Sequence, residues 1–369
     1  MDNEQLTNPE LYINRELSLL EFNRRVLAQS KDDSVPLLER LRFLCIASAV
    51  LDEFFEIRVA GLKQQEAYGA TQRGPDNMSP SEQLRHIYDV VPELVAEQYR
   101  VLNRELLPKL DRQGIRLLEQ NDWNAKQKQW LTRYFKGELA PVISPMALDP
   151  AHPFPEPLNK SLCFIVDLEG EDAFGRKLGK AIVQAPRSLP RVVRLPDACA
   201  QTPNEFVMLS TIIEYHVEAL FPGMRASGCY QFRVTRNSDL FVDMEEVDDL
   251  LRAVEGELSS RRYGDAVRLE IADDCPDDLA AFLSAQFQLA REDVYRCDGP
   301  VNLMRLSAVP DLVDRPELKF PGFTPSVCDQ VRQSEEMFEA IRQGDILLHH
   351  PFESFAPFVD FLRQASADP

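Results

Sequence analysis

Residues 36–61, PLLERLRFLCIASAVLDEFFEIRVAG, form the most strongly patterned stretch of the chain. Apolar side chains recur in it at steps of three and four residues, which is the spacing of one buried helix face. The residues on that face are Leu37, Leu41, Leu44, Ala47, Leu51 and Phe55. Pro36 stands where the first turn of a helix tolerates proline. The pattern predicts a long helix that packs one side against a core.

A second helix is predicted before this one. Asn14 can cap its first turn, and Leu19, Phe22 and Val26 recur at helical spacing as its apolar stripe. After the long helix, residues 68–77 contain Gly69, Gly74 and Pro75 and predict a loop.

A third helix begins after that loop. Ser79-Pro80-Ser81-Glu82 is a capping box with proline at the first helical position. The apolar face that follows is Leu84, Ile87, Val91 and Leu94. Pro92 removes a backbone donor inside this helix and is expected to bend or split it. Residues 1–111 therefore predict an all-α N-terminal helical domain.

The pattern changes to mixed α and β beyond that point. Six prolines in residues 141–157 predict an extended, ordered loop. Thr211 and Glu214 form a capping box before a short helix, and a long acidic helix is expected from about residue 245 to 261. Strand-like runs occur at 162–168, 181–184, 206–209, 232–236 and 240–244, with hairpin turn chemistry at 237–239. Residues 112–350 therefore predict an α+β head domain.

Composition narrows the class of protein. The 369 residues suggest two domains or part of a third, and 44% hydrophobic with 27% charged residues excludes a disordered chain. The net charge of −19 argues against nucleic-acid partners and anionic membranes. No apolar run approaches the roughly 18 residues that span a bilayer, so we expect no membrane insertion.

The cysteines and the N-terminal residues point to one compartment. Seven scattered cysteines without a C-x-x-C pair predict reduced, mostly buried thiols and neither a disulfide framework nor a zinc site. The acidic and polar N-terminal residues do not resemble a secretory signal. We expect a cytoplasmic protein.

Arg58 is the least ordinary residue of the long helix. It follows Val50, Leu51, Phe54 and Phe55 at spacings of eight, seven, four and three, which places it with Val50 on the face that should be buried. One reading is an ion pair with Glu53 or Glu16, or a stem that runs along the core while the head reaches water. The other is an anion site, because the planar fork suits phosphate or carboxylate.

The histidines offer little chemistry. His216 lies on the apolar face of its helix and is expected to be a core residue. Adjacent His349 and His350 on an extended segment point to opposite faces, so they cannot bind one metal ion together.

Several long motifs in order resemble one family. They are NRELSLLEFNRRVL (14–27), PLLERLRFLCIASAVLDEFFEIRVAGL (36–62), DPAHPFP (149–155), FRVTRNSDL (232–240), VYRCDGPVNL (294–303) and LKFPGFTP (318–325). From about residue 11 to its last residue, the chain resembles the first half of the polyphosphate kinase family, the histidine-phosphorylating kind.

The resemblance implies a multidomain enzyme that reversibly transfers the γ-phosphate of ATP to inorganic polyphosphate through a phosphohistidine, with Mg²⁺. It implies a helical N-terminal domain, a head domain and two phospholipase-D-like α/β catalytic domains. Residues 351–369 resemble only the start of the first catalytic domain. The catalytic residues and metal ligands are therefore expected outside this chain, and this portion alone is predicted to be inactive.

The resemblance also implies what this portion contributes. It should supply one wall of the ATP site and contacts of a homo-oligomer, with ATP, ADP and inorganic polyphosphate as ligands of the intact enzyme. The family carries a nucleotide-contacting asparagine immediately before LDEFF, where this chain has Val50, and Arg58 is the second candidate nucleotide-binding residue. The alternative is a non-catalytic interaction or regulatory module that kept the scaffold without nucleotide chemistry.

Overall fold

A computed structural model describes residues 8–149, 153–171, 179–238, 264–334 and 336–368. The chain divides into two compact units, Met1–Lys319 and Phe320–Pro369. In the first unit, helices precede two β-sheets, as the sequence predicts. The second unit contains the helices that we number α10 (Asp329–Arg332), α11 (Met337–Gln343) and α12 (Ala356–Ala367).

The helical part begins with α1 (Arg15–Lys31), α2 (Leu37–Glu53) and α3 (Ala60–Ala67). A π-helical segment, Phe54–Val59, joins α2 to α3 without a break, so the helical stretch extends beyond Gly61. The expected loop at 68–77 follows. After it come α4 (Pro80–Val101), a second π-helical segment (Leu102–Leu106) and α5 (Leu107–Arg112).

Helix α1 is capped by Asn14 as predicted, and of its predicted apolar stripe Leu19 and Val26 pack against the core whereas Phe22 does not. Leu19 and Val26 are half-buried and Phe22 is 46% exposed. The buried face is Glu16, Leu20, Asn23, Leu27 and Ser30. Two of its polar members donate hydrogen bonds to backbone carbonyls, Asn23 to Ala47 of α2 at 2.9 Å and Ser30 to Leu27 at 2.6 Å. Polar residues on the inner face hid the stripe from the apolar pattern.

Helix α4 confirms the capping box. The Ser79 hydroxyl accepts the Glu82 backbone N–H, and the Glu82 carboxylate accepts the Ser79 N–H at 2.8 Å. The predicted face of Leu84, Ile87, Val91 and Leu94 is buried. The helix continues through Pro92 to Val101, so the expected split does not occur.

The head contains two sheets. Parallel β1 (Ile115–Leu117) and β6 (Asn204–Met208), with antiparallel β5 (Val192–Arg194), form the smaller one in the order β1-β6-β5. The larger sheet has the order β2-β4-β3-β7-β8-β9. Its strands are β2 (Ser144–Ala147), β3 (Cys163–Gly170), β4 (Lys180–Gln184), β7 (Met224–Arg236), β8 (Ala266–Ala272) and β9 (Val294–Cys297).

The remaining helices of the first unit lie between strands: α6 (Ala125–Tyr134), α7 (Leu209–His216), α8 (Asp277–Gln286) and α9 (Ala308–Leu312). The predicted capping box at Thr211 and Glu214 is wrong. Strand β6 continues directly into α7, so the helix begins at Leu209 and its N-cap, Met208, makes no side-chain hydrogen bond. Within the predicted loop 141–157, Ser144–Ala147 pairs with β4 as an edge strand.

Two predicted elements, the strand at 240–244 and the acidic helix at about 245–261, lie outside the described residues, as does Asp239 of the expected turn. The described partner of β7 is β8, which pairs with it antiparallel from Phe232 opposite Ile271 to Arg236 opposite Ala266. Among the described residues, no helix is both long and apolar enough to cross a membrane. All seven cysteines are free, and five of them are buried.

The helical part and the head share one core. Its buried members include Leu44, Leu51 and Phe55 from the helices and Phe206 and Tyr295 from the sheets. The Tyr88 hydroxyl donates to Asp293 at 2.9 Å and Lys63 to the same carboxylate at 2.5 Å, immediately before β9. The helices therefore pack on the head as a single unit.

A buried charge cluster, Asp52, Arg233, Arg268 and Glu270, lies inside this interface. Arg233 binds both oxygens of Asp52, at 2.8 and 2.6 Å, and pairs with Glu270 directly across the β7–β8 ladder. Arg268 contacts Asp52 at 3.3 Å and Glu270 at 2.8 Å. Two positive and two negative charges cancel, which is the condition under which buried ions are tolerated.

Replacing Arg233 by Met should leave one uncompensated negative charge in this cluster. We expect Arg233→Met to lower the free energy of unfolding by about 3–5 kcal/mol. Arg24→Met, which removes longer and partly exposed ion pairs to Glu21 and Glu93, should cost at most about 1 kcal/mol. Urea unfolding of this chain followed by circular dichroism measures both, and equal losses in the two variants would contradict the assignment.

The capping box also makes a pH-dependent contribution. The Ser79 N–H, the Ser79 hydroxyl and Arg73 lower the pKa of Glu82 from 4.5 to about 2. Because the folded value lies below the unfolded one, the stabilisation is complete above pH 4.5 and is lost as the pH falls towards 2. The difference in free energy of unfolding between this chain and Glu82→Gln should shrink over that range. A difference independent of pH would contradict the capping role.

Candidate functional site: the outward face of helix α2

The sequence-predicted site residues lie at the C-terminal end of α2 and in the π-helical segment. Val50 is half-buried, and Ile46, one turn earlier, is 43% exposed. The opposite side of the same helix, with Leu51 and Phe55, is buried in the shared core. Val50 therefore belongs to an accessible, largely apolar strip that faces away from the core.

Arg58 does not lie on the buried face that the uninterrupted pattern predicts. Its side chain is 42% exposed, and its Nε lies 4.0 Å from Glu16 Oε2. The structure thus shows a loose ion pair with Glu16 and a guanidinium that reaches solvent, and the anion site stays a prediction. The π-helical segment explains the difference, because its i→i+5 hydrogen bonds insert one extra residue into the turn.

From helix geometry, this insertion turns Arg58 towards the side of the helix that carries Val50. Val50 and Arg58 are eight positions apart in the sequence. Because the π-type turn contains one additional residue, the rotation between them is that of about seven α-helical residues, or roughly two full turns. An uninterrupted helix would have turned Arg58 towards Leu51. The segment thus combines a buried aromatic pair, Phe54 and Phe55, with an exposed guanidinium.

Glu56 ties the π-helical segment to the head. Its carboxylate accepts from Asn159 Nδ2 at 2.6 Å and pairs with Lys160, and its backbone carbonyl accepts the Ser238 N–H at 3.2 Å. Asn159 in turn accepts the Arg236 N–H through its side-chain oxygen at 2.9 Å. These bonds fix the position of the outward face relative to the end of β7.

The buried charge cluster beneath this face was missed by sequence reasoning. The signal was available in AVRLEIA (266–272), where Arg268 and Glu270 alternate with Leu269 and Ile271 on a strand that is buried throughout. Charged residues at every second position of a buried strand indicate an internal ion-pair layer. The head sequence alone does not predict that Asp52 of α2 is their partner.

The histidines behave as expected where the structure bears on them. His216 stacks on Phe135 at 4.7 Å, with its ring nitrogens 3.0 Å from the Thr132 hydroxyl and 2.9 Å from the Ile212 carbonyl. Burial lowers its pKa, which fits a core residue. His349 and His350 are exposed in the second unit. Among the described residues, no group of three or more His, Cys, Asp or Glu side chains is placed to bind a metal ion.

Three family models match the chain in succession. The N-terminal domain of polyphosphate kinase matches residues 12–118, the middle domain matches 126–309, and the first C-terminal domain matches 336–369. The outward face of α2, with Val50 and Arg58, falls within the first of these matches.

Individual relatives agree. Polyphosphate kinases from Pseudomonas aeruginosa and Neisseria gonorrhoeae are each 52% identical over 99% of this chain and 53% of their own length. The crystal structure of polyphosphate kinase from Porphyromonas gingivalis superposes with a TM-score of 0.75 at 25% identity, over 97% of this chain and 50% of that one. The chain spans about half the length of these relatives, and it belongs to the polyphosphate kinase family.

Proposed function

We propose that this chain is the N-terminal and head portion of a polyphosphate kinase that reversibly transfers the ATP γ-phosphate to inorganic polyphosphate. The observation that carries the proposal is the match of three successive domain models of that family, in order, from residue 12 to 369. The non-catalytic module is disfavoured, since the similar relatives are all named as kinases.

In this proposal the outward face of α2 forms one wall of the ATP site. Val50 contributes an apolar surface and its backbone, where an asparagine would add a donor and an acceptor. The exposed guanidinium of Arg58 is a phosphate-binding group whose ion pair with Glu16, at 4.0 Å, is long enough to be exchanged for a ligand. The buried charge cluster holds both residues in place from below.

The chemistry itself is assigned to residues beyond this chain. Phosphoryl transfer depends on positioning and charge neutralisation, for which the family uses a phosphohistidine and Mg²⁺. The metal would neutralise phosphate charge when bound, and we assign its ligands to the second half of the protein. A homo-oligomer and a cytoplasmic location also belong to the proposal.

This chain alone should neither make polyphosphate from ATP nor phosphorylate ADP from polyphosphate. Incubation with γ-labelled ATP and Mg²⁺ should give no acid-labile phosphoprotein, whereas a protein of the relatives' full length should give one. Labelling of this chain that survives both His349→Ala and His350→Ala would reveal an acceptor within it and contradict the division of labour proposed here.

Val50→Asn in a full-length protein should tighten ATP binding. One recovered neutral hydrogen bond is worth about 0.5–1.5 kcal/mol, roughly a twofold to tenfold lower KM for ATP where KM reflects binding. Val142→Asn makes the same exchange at an exposed valine outside this face and should leave KM unchanged.

A melting temperature measured for each variant separates a local effect from damage to the fold. An asparagine that finds no partner at position 50 would lower the melting temperature instead. Unchanged KM and unchanged melting in Val50→Asn would remove this position from the nucleotide wall.

A further inference from the structure

A small cavity of about 20 Å³ opens on the head side of the buried charge cluster. Its lining carries an excess of positive side chains, Lys160, Arg191, Arg233 and Arg305, together with Ser210 and Asn302. Lys160 is neutralised by Glu56, and Arg233 by Asp52 and Glu270. The positive charges of Arg191 and Arg305 are left over, in a chain whose net charge is −19.

Arg191 lines this cavity, and its hydrogen-bonding groups are incompletely satisfied. It is only 8% exposed, and the hydrogen bond given for its guanidinium is a long one, from Nη2 to the Ala185 carbonyl at 3.3 Å. Its Nη1 atom is buried and has no hydrogen-bond partner among the described residues. A buried charged donor without a partner is costly to a fold, so it indicates a position that a ligand fills.

Two further arginines lie near Arg191. Arg305 lines the cavity and is exposed, and Arg187, also exposed, donates to the Asn159 carbonyl next to Lys160. Within the described part of the chain, neither Arg187, Arg191 nor Arg305 has a carboxylate within 4.0 Å. Burial, with Arg305 and Arg187 nearby, lowers the pKa of Arg191 to about 10, and burial with Arg233 and Arg187 lowers the pKa of Arg305. The three guanidinium groups repel one another, and among the described residues the one carboxylate that acts on Arg305, Asp52, already binds Arg233.

We infer that Arg187, Arg191 and Arg305 form a subsite for a phosphoryl oxyanion. The cavity admits one oxygen atom, which would accept from Arg191 Nη1, while the rest of the anion lies at the mouth between the two exposed arginines. Guanidinium forks match the oxygen spacing of phosphate, and such charge-assisted bonds are the strong ones. The amide of Asn302, whose Oδ1 is buried without a partner, presents a donor when it is rotated by 180°.

The inference rests on the proposed kinase function and deepens it, because polyphosphate is a chain of the group that this subsite would hold. Two sources share the chemistry, free orthophosphate and a phosphoryl unit of polyphosphate. The open mouth favours the second, since a chain that continues past Arg305 and Arg187 meets both charges at once.

The test measures anion binding to this chain, which needs no catalysis. Isothermal titration with orthophosphate and with long-chain polyphosphate is carried out at fixed ionic strength. Arg191→Met and Arg305→Met should each weaken polyphosphate binding at least about 10-fold. Arg112→Met removes the same charge from an exposed position on α5 and should change binding less than about twofold.

Two further variants separate binding from folding. Arg191→Lys keeps the charge without the fork and should bind more weakly than the parent chain but more tightly than Arg191→Met. Because Arg305 is exposed, Arg305→Met should keep the parent melting temperature, so its binding loss cannot come from unfolding. Polyphosphate should also raise the melting temperature of the parent chain but not that of Arg191→Met.

The outcomes decide between the sources and the proposal itself. If the arginine variants lose affinity for polyphosphate alone, the ligand is the polyphosphate chain. If they lose affinity for both anions, the ligand is an isolated phosphoryl group. Unchanged affinity for both anions in the folded Arg305→Met and Arg191→Lys variants, or an equal loss in Arg112→Met, overturns the subsite. Kinase activity of a full-length protein is a separate readout: its absence with anion binding retained overturns the function but not the subsite.

Discussion

The buried cluster of Asp52, Arg233, Arg268 and Glu270 is the constraint on which the rest of the first unit depends. Each of these charged side chains is tolerated in the core only while its partners are present, because the attraction between opposite charges offsets the free-energy cost of removing each charge from water. Asp52 comes from the helical part and the other three from the head, so neither part can bury its own charges alone. Arg268 also stacks between Phe55 and Tyr295, at 4.8 and 5.0 Å from the two ring centres. Charge and aromatic packing together fix where α2 ends relative to the sheet.

The π-helical segment Phe54–Val59 follows from that constraint. The chain brings Asp52, Phe54 and Phe55 to the sheet. Glu56, the next residue, binds Asn159 and Lys160. One face of a regular α-helix cannot present all four side chains in these directions. One additional residue in the turn solves the problem and carries Arg58 outwards. π-Type turns recur at functional sites, and here the irregularity accompanies an exposed guanidinium, that of Arg58.

Sequence reasoning reached the elements whose signals are local. The apolar periodicity of α2, the Ser79 capping box and the strand at 163–170 needed nothing beyond their own residues. It failed where distant residues decide the outcome. Asn23 is buried in α1 because its side chain donates a hydrogen bond to the Ala47 carbonyl of another helix. Helix α7 begins at Leu209 because strand β6 continues directly into it. The side of the helix on which Arg58 lies depends on a π-type turn, which apolar spacing of three and four residues does not register.

The charge pattern separates two kinds of arginine. Those that stabilise the fold have acids within reach, as Arg40 does with Asp33 and Glu105 and Arg233 with Asp52 and Glu270. Arg268, which is buried like Arg40 and Arg233, also pairs with carboxylates, those of Asp52 and Glu270. Arg191 differs: it is buried, no described carboxylate lies within 4.0 Å of it, and Arg187 and Arg305 add positive charge near it. A surface that is otherwise negative repels a polyanion, so a local positive patch attracts the polyanion to that place. This patch lies on the head, beside the end of α2.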